Sequence, residues 1–154
     1  MKPVLFLRIA SVLTFIHSIL HTIGGVFGKP APGVATRVAA EMRTPFPAFG
    51  AMRSYSDFYM GMGLGVTIFL TMDALLLWIL ASMAKSDAVR LRPLIAVFSL
   101  GYFAFAINSY TFFFAFPVIT ELLIVACLLA AIVTAKAAPE TPYSEPPHLK
   151  TIQS

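Results

Sequence analysis

Charged residues are scarce in this chain, and their scarcity excludes an ordinary soluble domain. Asp, Glu, Lys and Arg together make up 12% of the 154 residues, whereas hydrophobic residues make up 58%. Soluble domains carry about 25% charged residues. The basic residues are dispersed beside apolar segments and are not gathered on one face, which argues against a nucleic-acid partner. The composition predicts an integral membrane protein whose first partners are membrane lipids.

Cysteine is nearly absent as well. Cys127 is the single cysteine, so the chain has no internal disulfide and no cysteine-based metal site. No arrangement of Ser, His and Asp typical of nucleophilic catalysis can be assembled. Gly61, Gly63 and Gly65 lie inside an apolar helix and do not follow a strand, so they do not form a phosphate-binding loop. Any function must therefore reside in the few polar residues of the apolar segments.

Four apolar segments are long enough to cross a bilayer, which takes about 20 helical residues. The predicted spans cover residues 4–27, 58–84, 93–114 and 117–135. The third and fourth spans are separated at Phe116-Pro117, because the residue before a proline is kept out of helical geometry. Ser56 and Asp57 are suited to cap the start of span two. We predict an all-α, four-span transmembrane bundle over residues 1–138, followed by a disordered, proline-rich tail over residues 139–154.

The longest connection, residues 28–54, joins spans one and two on the outer side. Residues 33–42 of this connection are suited to a short helix lying at the membrane interface. Residues 44–50 cannot be a regular helix, because Pro45 and Pro47 remove hydrogen-bond donors. Phe46 and Phe49 suggest that this second part lies on the bilayer surface.

The distribution of lysine and arginine predicts the orientation. With the N-terminus inside, seven of these residues lie on the inner side and four on the outer side. The positive-inside rule then favours cytoplasmic N- and C-termini. We expect a location in a bacterial inner membrane, with the tail in the cytoplasm.

The most informative polar residues are His17 and His21, which lie one helical turn apart in a stretch without any charge. Polar groups at such depth are costly and usually serve a function. Ala10, Thr14 and Gly24 share their helix face, and this small, polar face is suited to the bundle interior.

Antiparallel threading of the spans brings polar residues from other helices to the same depth. Asn108 lies in the outer part of span three, Glu121 lies one turn into span four, and Asp57 lies at the outer end of span two. We therefore predict a ligand-binding set in the outer half of the bundle, formed by His17, His21, Asp57, Asn108 and Glu121.

Three interpretations of this set remain open. In the first, the histidines only form hydrogen bonds between helices. In the second, the set lines a cavity that binds or acts on a lipid-like or quinone-like molecule, and a pair of His and Glu transfers protons. In the third, His17 and His21 hold a metal or haem; zinc would need further ligands, which Glu121 or Asp57 would have to supply. The sequence identifies no cofactor and does not decide whether a reaction occurs.

Two further pairs concern helix packing. Arg8 and Asp73 are predicted to form an ion pair between spans one and two. The alternatives are a proton or ion path from Asp73 to the histidines, and a bond from Asp73 to some other group. Gly61 and Gly65 are spaced so that another helix can approach closely. A homo-oligomer or a larger membrane complex is therefore a possible assembly. The corresponding alternative functions are a non-catalytic accessory subunit and a small oligomeric transporter.

The first span also carries a resemblance. The segment from Leu7-Arg8-Ile9 through His17 to His21-Thr22-Ile23-Gly24-Gly25, followed by three further spans, resembles small bacterial four-helix membrane proteins of the DoxX-like kind. The resemblance implies a four-helix membrane fold, and it implies no particular activity.

Overall fold

The computed structural model describes residues 2–136, and the tail predicted to be disordered, 139–154, lies outside the described residues. Four of its helices are long and apolar enough to cross a membrane, which confirms the predicted all-α, four-span bundle. In chain order, the elements are α1 (Lys2–Leu20) with a π-helical continuation (His21–Val26), α2 (Val34–Glu41), β1 (Phe46–Ala48), β2 (Ala51–Arg53), α3 (Tyr55–Met83), α4 (Arg92–Phe112) and α5 (Ala115–Thr134).

Helix α1 is the centre of the bundle. It packs against both α3 and α5, and α4 packs against α5, whereas α3 and α4 do not pack closely along each other. The fully buried core side chains come from all four spans: Leu7, Leu77, Ile95, Ile124 and Leu128. Large apolar side chains also cover the outside of the bundle, and Val133, for example, is 80% exposed. So much exposed apolar surface is typical of a face that contacts lipid.

The connection between α1 and α3 contains two small elements. The helix expected within residues 33–42 is present as α2. Residues 46–53 form an antiparallel β-hairpin, where the sequence predicted only a non-helical segment. Its turn residues, Phe49 and Gly50, both have positive φ, at 49° and 82°, as the favoured two-residue hairpin turn requires. Phe46 packs against Tyr55 with ring centroids 4.9 Å apart, which fixes the hairpin to the start of α3.

Helix α3 begins at Tyr55, three residues before the predicted start. Ser54 is its N-cap, and neither Ser56 nor Asp57 has that position. The Ser54 hydroxyl accepts a hydrogen bond from the backbone N–H of Asp57, at 3.2 Å. The Asp57 carboxylate in turn accepts one from the backbone N–H of Ser54, at 2.8 Å. This reciprocal capping box satisfies two backbone donors that the helix itself leaves free.

The break between α4 and α5 also differs from the predicted one. It falls at Phe113 and Phe114, so Pro117 lies in the first turn of α5. Proline is tolerated there because the N–H that it lacks would have no partner within the helix. The break between α4 and α5, the π-helical segment and the start of α3 lie at the same end of the bundle. We call this end the loop end.

Candidate functional site

A cavity of about 410 Å³ lies at the loop end, between the spans. We call it the loop-end cavity. Four of the five predicted ligand residues line it: His17, His21, Asn108 and Glu121. The wall also contains the polar side chains of Tyr59 and Ser109 and the rings of Phe105, Phe113, Phe114 and Phe116. The cavity thus combines a few polar groups with a largely aromatic wall.

Glu121 is the acidic group of this cavity and is only 4% exposed. Its Oε1 accepts a hydrogen bond from the Ser109 hydroxyl at 3.0 Å. Its Oε2 is buried and has no hydrogen-bond partner among the described residues. One of the two oxygens of this carboxyl group therefore has no hydrogen bond within the described part of the chain.

His17 is in a similar situation. It is 7% exposed, and its Nδ1 is buried without a partner in the described part of the chain. His17 and Glu121 line the same cavity but do not form the hydrogen-bonded pair that proton transfer between them would need. Two residues of the cavity wall, on two different helices, thus each carry one buried polar atom without a partner among the described residues.

His21, in contrast, has a partner. Its Nε2 lies 3.1 Å from the backbone carbonyl oxygen of Gly63. A carbonyl oxygen only accepts hydrogen bonds, so Nε2 carries the proton and donates it. His21 therefore connects the end of span one to α3. For His21, and not for His17, this contact agrees with the first interpretation, in which the histidines only form hydrogen bonds between helices.

The π-helical segment gives His21 its place. π-Helical turns are rare and occur frequently at functional sites, and this one carries His21, Gly24 and Gly25 on the cavity wall. Just after it, a Cβ atom on Gly28 would overlap with the carbonyl oxygen of Gly24. Glycine at position 28 is therefore a requirement of the close return of the chain over this turn.

Asp57 does not line the cavity, although the sequence placed it in the ligand set. Its carboxylate is engaged in the capping box of α3 with Ser54. A carboxylate three residues after an N-cap serine is held there by the free backbone N–H groups, and this local attraction keeps it away from the other polar residues.

The predicted ion pair of Arg8 and Asp73 is not formed. The Arg8 guanidinium lies over the Trp78 ring, 3.4 Å from its centroid, and donates to the Ser82 hydroxyl at 3.3 Å. Asp73 accepts a hydrogen bond from the Tyr102 hydroxyl at 3.3 Å. The helix register explains the difference.

The register is set by serine hydroxyls of α1. Ser11 donates to the carbonyl oxygen of Ala74 at 2.7 Å, so Asp73 lies level with the part of α1 just beyond Ser11. Arg8 is almost a full turn further toward the N-terminus and is level with Trp78. The two charged groups are therefore separated along the bundle axis.

The predicted ligand set also omitted polar and aromatic side chains of the cavity wall. Ser109, the donor to Glu121, belongs to the buried stripe of α4, in which Ile95, Ser99, Tyr102, Ala106 and Ser109 recur every three or four residues. That spacing is visible in the sequence and would have placed Ser109 in the interior. Asn108 lies beside the stripe at the cavity wall.

A metal site is not supported by the arrangement of side chains. Within residues 2–136, no group of three or more His, Cys, Asp or Glu residues is placed so that it could hold a metal ion. His17 and His21 therefore lack, in that part of the chain, the third protein ligand that zinc sites use.

No family model, no curated protein and no solved structure matches this chain. The resemblance of the first span to DoxX-like membrane proteins stays a prediction.

Proposed function

We propose that this chain is a small integral protein of a bacterial inner membrane whose loop-end cavity binds a lipid-like or quinone-like molecule. Both termini are cytoplasmic in this proposal, in line with the excess of lysine and arginine on that side. The cavity then lies in the outer half of the bundle.

The unpartnered atoms of His17 and Glu121 carry the proposal. A buried polar group without a hydrogen bond costs about 1–3 kcal/mol. Nδ1 of His17 and Oε2 of Glu121 both belong to this class, and both residues line one cavity. In this proposal the two side chains rotate toward the cavity when the ligand binds, its polar head bonds to these atoms and removes that cost, and the aromatic wall accommodates its apolar body.

The shape of the bundle supports an amphipathic ligand. A cavity volume of about 410 Å³ falls in the usual range of small-molecule sites, about 300–1,000 Å³. The cavity is lined by both α3 and α4, the two neighbouring spans that do not pack closely along each other. A molecule with an apolar tail can extend from the cavity through this gap into the lipid.

A second candidate function, as an accessory subunit or as part of an oligomeric transporter, is favoured by two glycines of α3. Cβ atoms on Gly61 and Gly65 would meet no described atom within 4 Å. Because small residues at this spacing allow a helix to approach closely, a second copy or another membrane protein has room to pack there.

The proposed function is tested by mass spectrometry of the full-length protein purified in a mild detergent. We expect an amphipathic molecule to co-purify with the native protein and to be lost from the variants His17→Ala and Glu121→Gln. Glu41→Gln, on the exposed surface of α2, is the matched control and should retain the molecule. Retention at native stoichiometry by folded His17→Ala and Glu121→Gln proteins would contradict the proposal.

A further inference from the structure

We infer that the polar head of the ligand is an organic ammonium group, held by the Glu121 carboxylate and by the aromatic rings of the loop-end cavity. This inference rests on the proposed function and narrows the chemical class of its ligand. It is carried by the charge of the cavity wall and by the aromatic side chains that line the cavity together with Glu121.

The charge of the wall is one-sided. Among the described residues, neither lysine nor arginine lines the cavity, and Glu121 is its acidic residue. A buried carboxylate needs a partner of opposite charge or a full set of hydrogen bonds. Ser109 satisfies Oε1 alone, and the buried Oε2 is left as an unused acceptor, to which an ammonium group would bond once the carboxyl group rotates toward the cavity.

The histidines do not fill this role. His21 is engaged with the Gly63 carbonyl oxygen, and His17 does not contact Oε2 within hydrogen-bond distance. A ligand with a phosphate or carboxylate head and no ammonium group would bring an uncompensated second negative charge beside Glu121 in a medium of low dielectric constant, which is strongly unfavourable. The wall therefore discriminates against anionic heads.

The aromatic rings of the cavity wall supply the second contribution to the binding of an ammonium group. Four phenylalanines and Tyr59 line the cavity. The face of an aromatic ring carries partial negative charge and attracts ammonium groups, and rings around a cation are the known means of recognising quaternary ammonium ligands. A cavity that combines an acidic group with such rings favours a cation over a neutral head of equal size.

Two sources share this chemistry, namely the headgroup of phosphatidylethanolamine and a free amphipathic amine. Equilibrium dialysis of small probes against the full-length protein in nanodiscs separates them. The probes are benzyltrimethylammonium, its uncharged carbon analogue neopentylbenzene and the anion phenylmethanesulfonate. Nanodiscs of pure phosphatidylglycerol contain no ammonium lipid, and empty nanodiscs correct for partition of each probe into lipid.

We expect the native protein to bind benzyltrimethylammonium and not the sulfonate. Glu121→Gln should weaken ammonium binding at least about tenfold, as the loss of one partner of a buried charge pair does, and should leave neopentylbenzene binding unchanged. Phe105→Leu, which keeps the apolar volume and removes a ring, should weaken ammonium binding by about threefold to tenfold. Size-exclusion chromatography and thermal unfolding verify that each variant is folded.

Replacing half of the phosphatidylglycerol by phosphatidylethanolamine distinguishes the sources. Weaker apparent binding of the ammonium probe identifies the lipid headgroup as the occupant, and unchanged binding identifies a free amine. The inference is overturned if the native protein does not bind the ammonium probe, if it binds the sulfonate equally well, or if folded Glu121→Gln and Phe105→Leu proteins both bind the ammonium probe like the native protein. In each case the proposed function still stands if a neutral molecule co-purifies and is lost from His17→Ala.

Discussion

His17 and His21 show that two identical side chains one turn apart can have different roles. His21 donates to a backbone carbonyl of α3, whereas Nδ1 of His17 has no partner in the described chain. We therefore assign packing to His21 and ligand contact to His17.

This assignment predicts opposite effects on stability. His21→Phe should lower the free energy of unfolding by about 0.6 kcal/mol, the average for a hydrogen bond between membrane helices. His17→Phe removes an unpartnered polar atom and should leave the stability unchanged or raised. Thermal unfolding in dodecyl maltoside measures both, and a larger loss for His17→Phe than for His21→Phe would contradict the assignment.

Ser109 gives a second prediction at the scale of one residue. Ser109→Ala leaves both oxygens of Glu121 without a hydrogen bond, so the free energy of unfolding should fall by about 1–3 kcal/mol. Ser86→Ala is the control, since Ser86 is exposed in the connection between α3 and α4 and should change stability by less than about 0.5 kcal/mol. Equal effects of the two substitutions would show that Ser109 does not support Glu121.

At the scale of the element, glycine substitutions distinguish a required glycine from a tolerated one. Gly28→Ala places a methyl group against the carbonyl oxygen of Gly24 and should destabilise the protein by about 1–3 kcal/mol, as overpacking does. Gly61→Ala meets open space and should stabilise α3 by about 0.5–1 kcal/mol, because alanine is the better helix former. The melting temperatures of the two variants in detergent test this order of stability. A Gly28→Ala protein with an unchanged melting temperature would refute it.

The helices were predictable because a bilayer requires long apolar segments, and because charged residues, glycine or proline separate each segment from the next. The exact ends of the helices were less predictable. Ser54 with Asp57 three residues later is a readable capping signal. The prediction of Ser56 and Asp57 as caps used only the general ability of serine and aspartate to accept free backbone N–H groups. The π-helical turn has no such local signal, since it depends on how the end of span one meets α3.

The site was predictable only to the extent that the depth of each residue in the membrane determines which residues lie near one another. Antiparallel threading predicted that His17, His21, Asn108 and Glu121 lie at similar depth, and in the structure all four line one cavity. It did not reveal that Arg8 and Asp73 are out of register, because the register depends on contacts such as that of Ser11 with the carbonyl of Ala74. Contacts of this kind, between a hydroxyl and a backbone carbonyl, produce no periodic pattern in the sequence.

At the scale of the whole molecule, the orientation is testable with cysteine labelling. In a Cys127→Ala background, Met52→Cys in the hairpin should react with a membrane-impermeant maleimide in intact bacterial spheroplasts. Asp87→Cys, in the connection between α3 and α4, should react only after the membrane is permeabilised. The reverse pattern would place the loop-end cavity on the cytoplasmic side and would refute the proposed orientation.

The contact between α1 and α3 has a consequence for how this molecule can deform. Thr22, Thr67 and Thr71 each donate to a carbonyl oxygen four residues earlier in their own helix, even where their hydroxyls also meet across the contact. Moving the two helices apart would therefore leave these three threonine donors paired, whereas Ser18 would lose the carbonyl oxygen of Thr67, which accepts from it at 3.2 Å. The serines and His21 of the first span thus hold the two helices together beside the cavity, and the threonine hydroxyls do not oppose their separation.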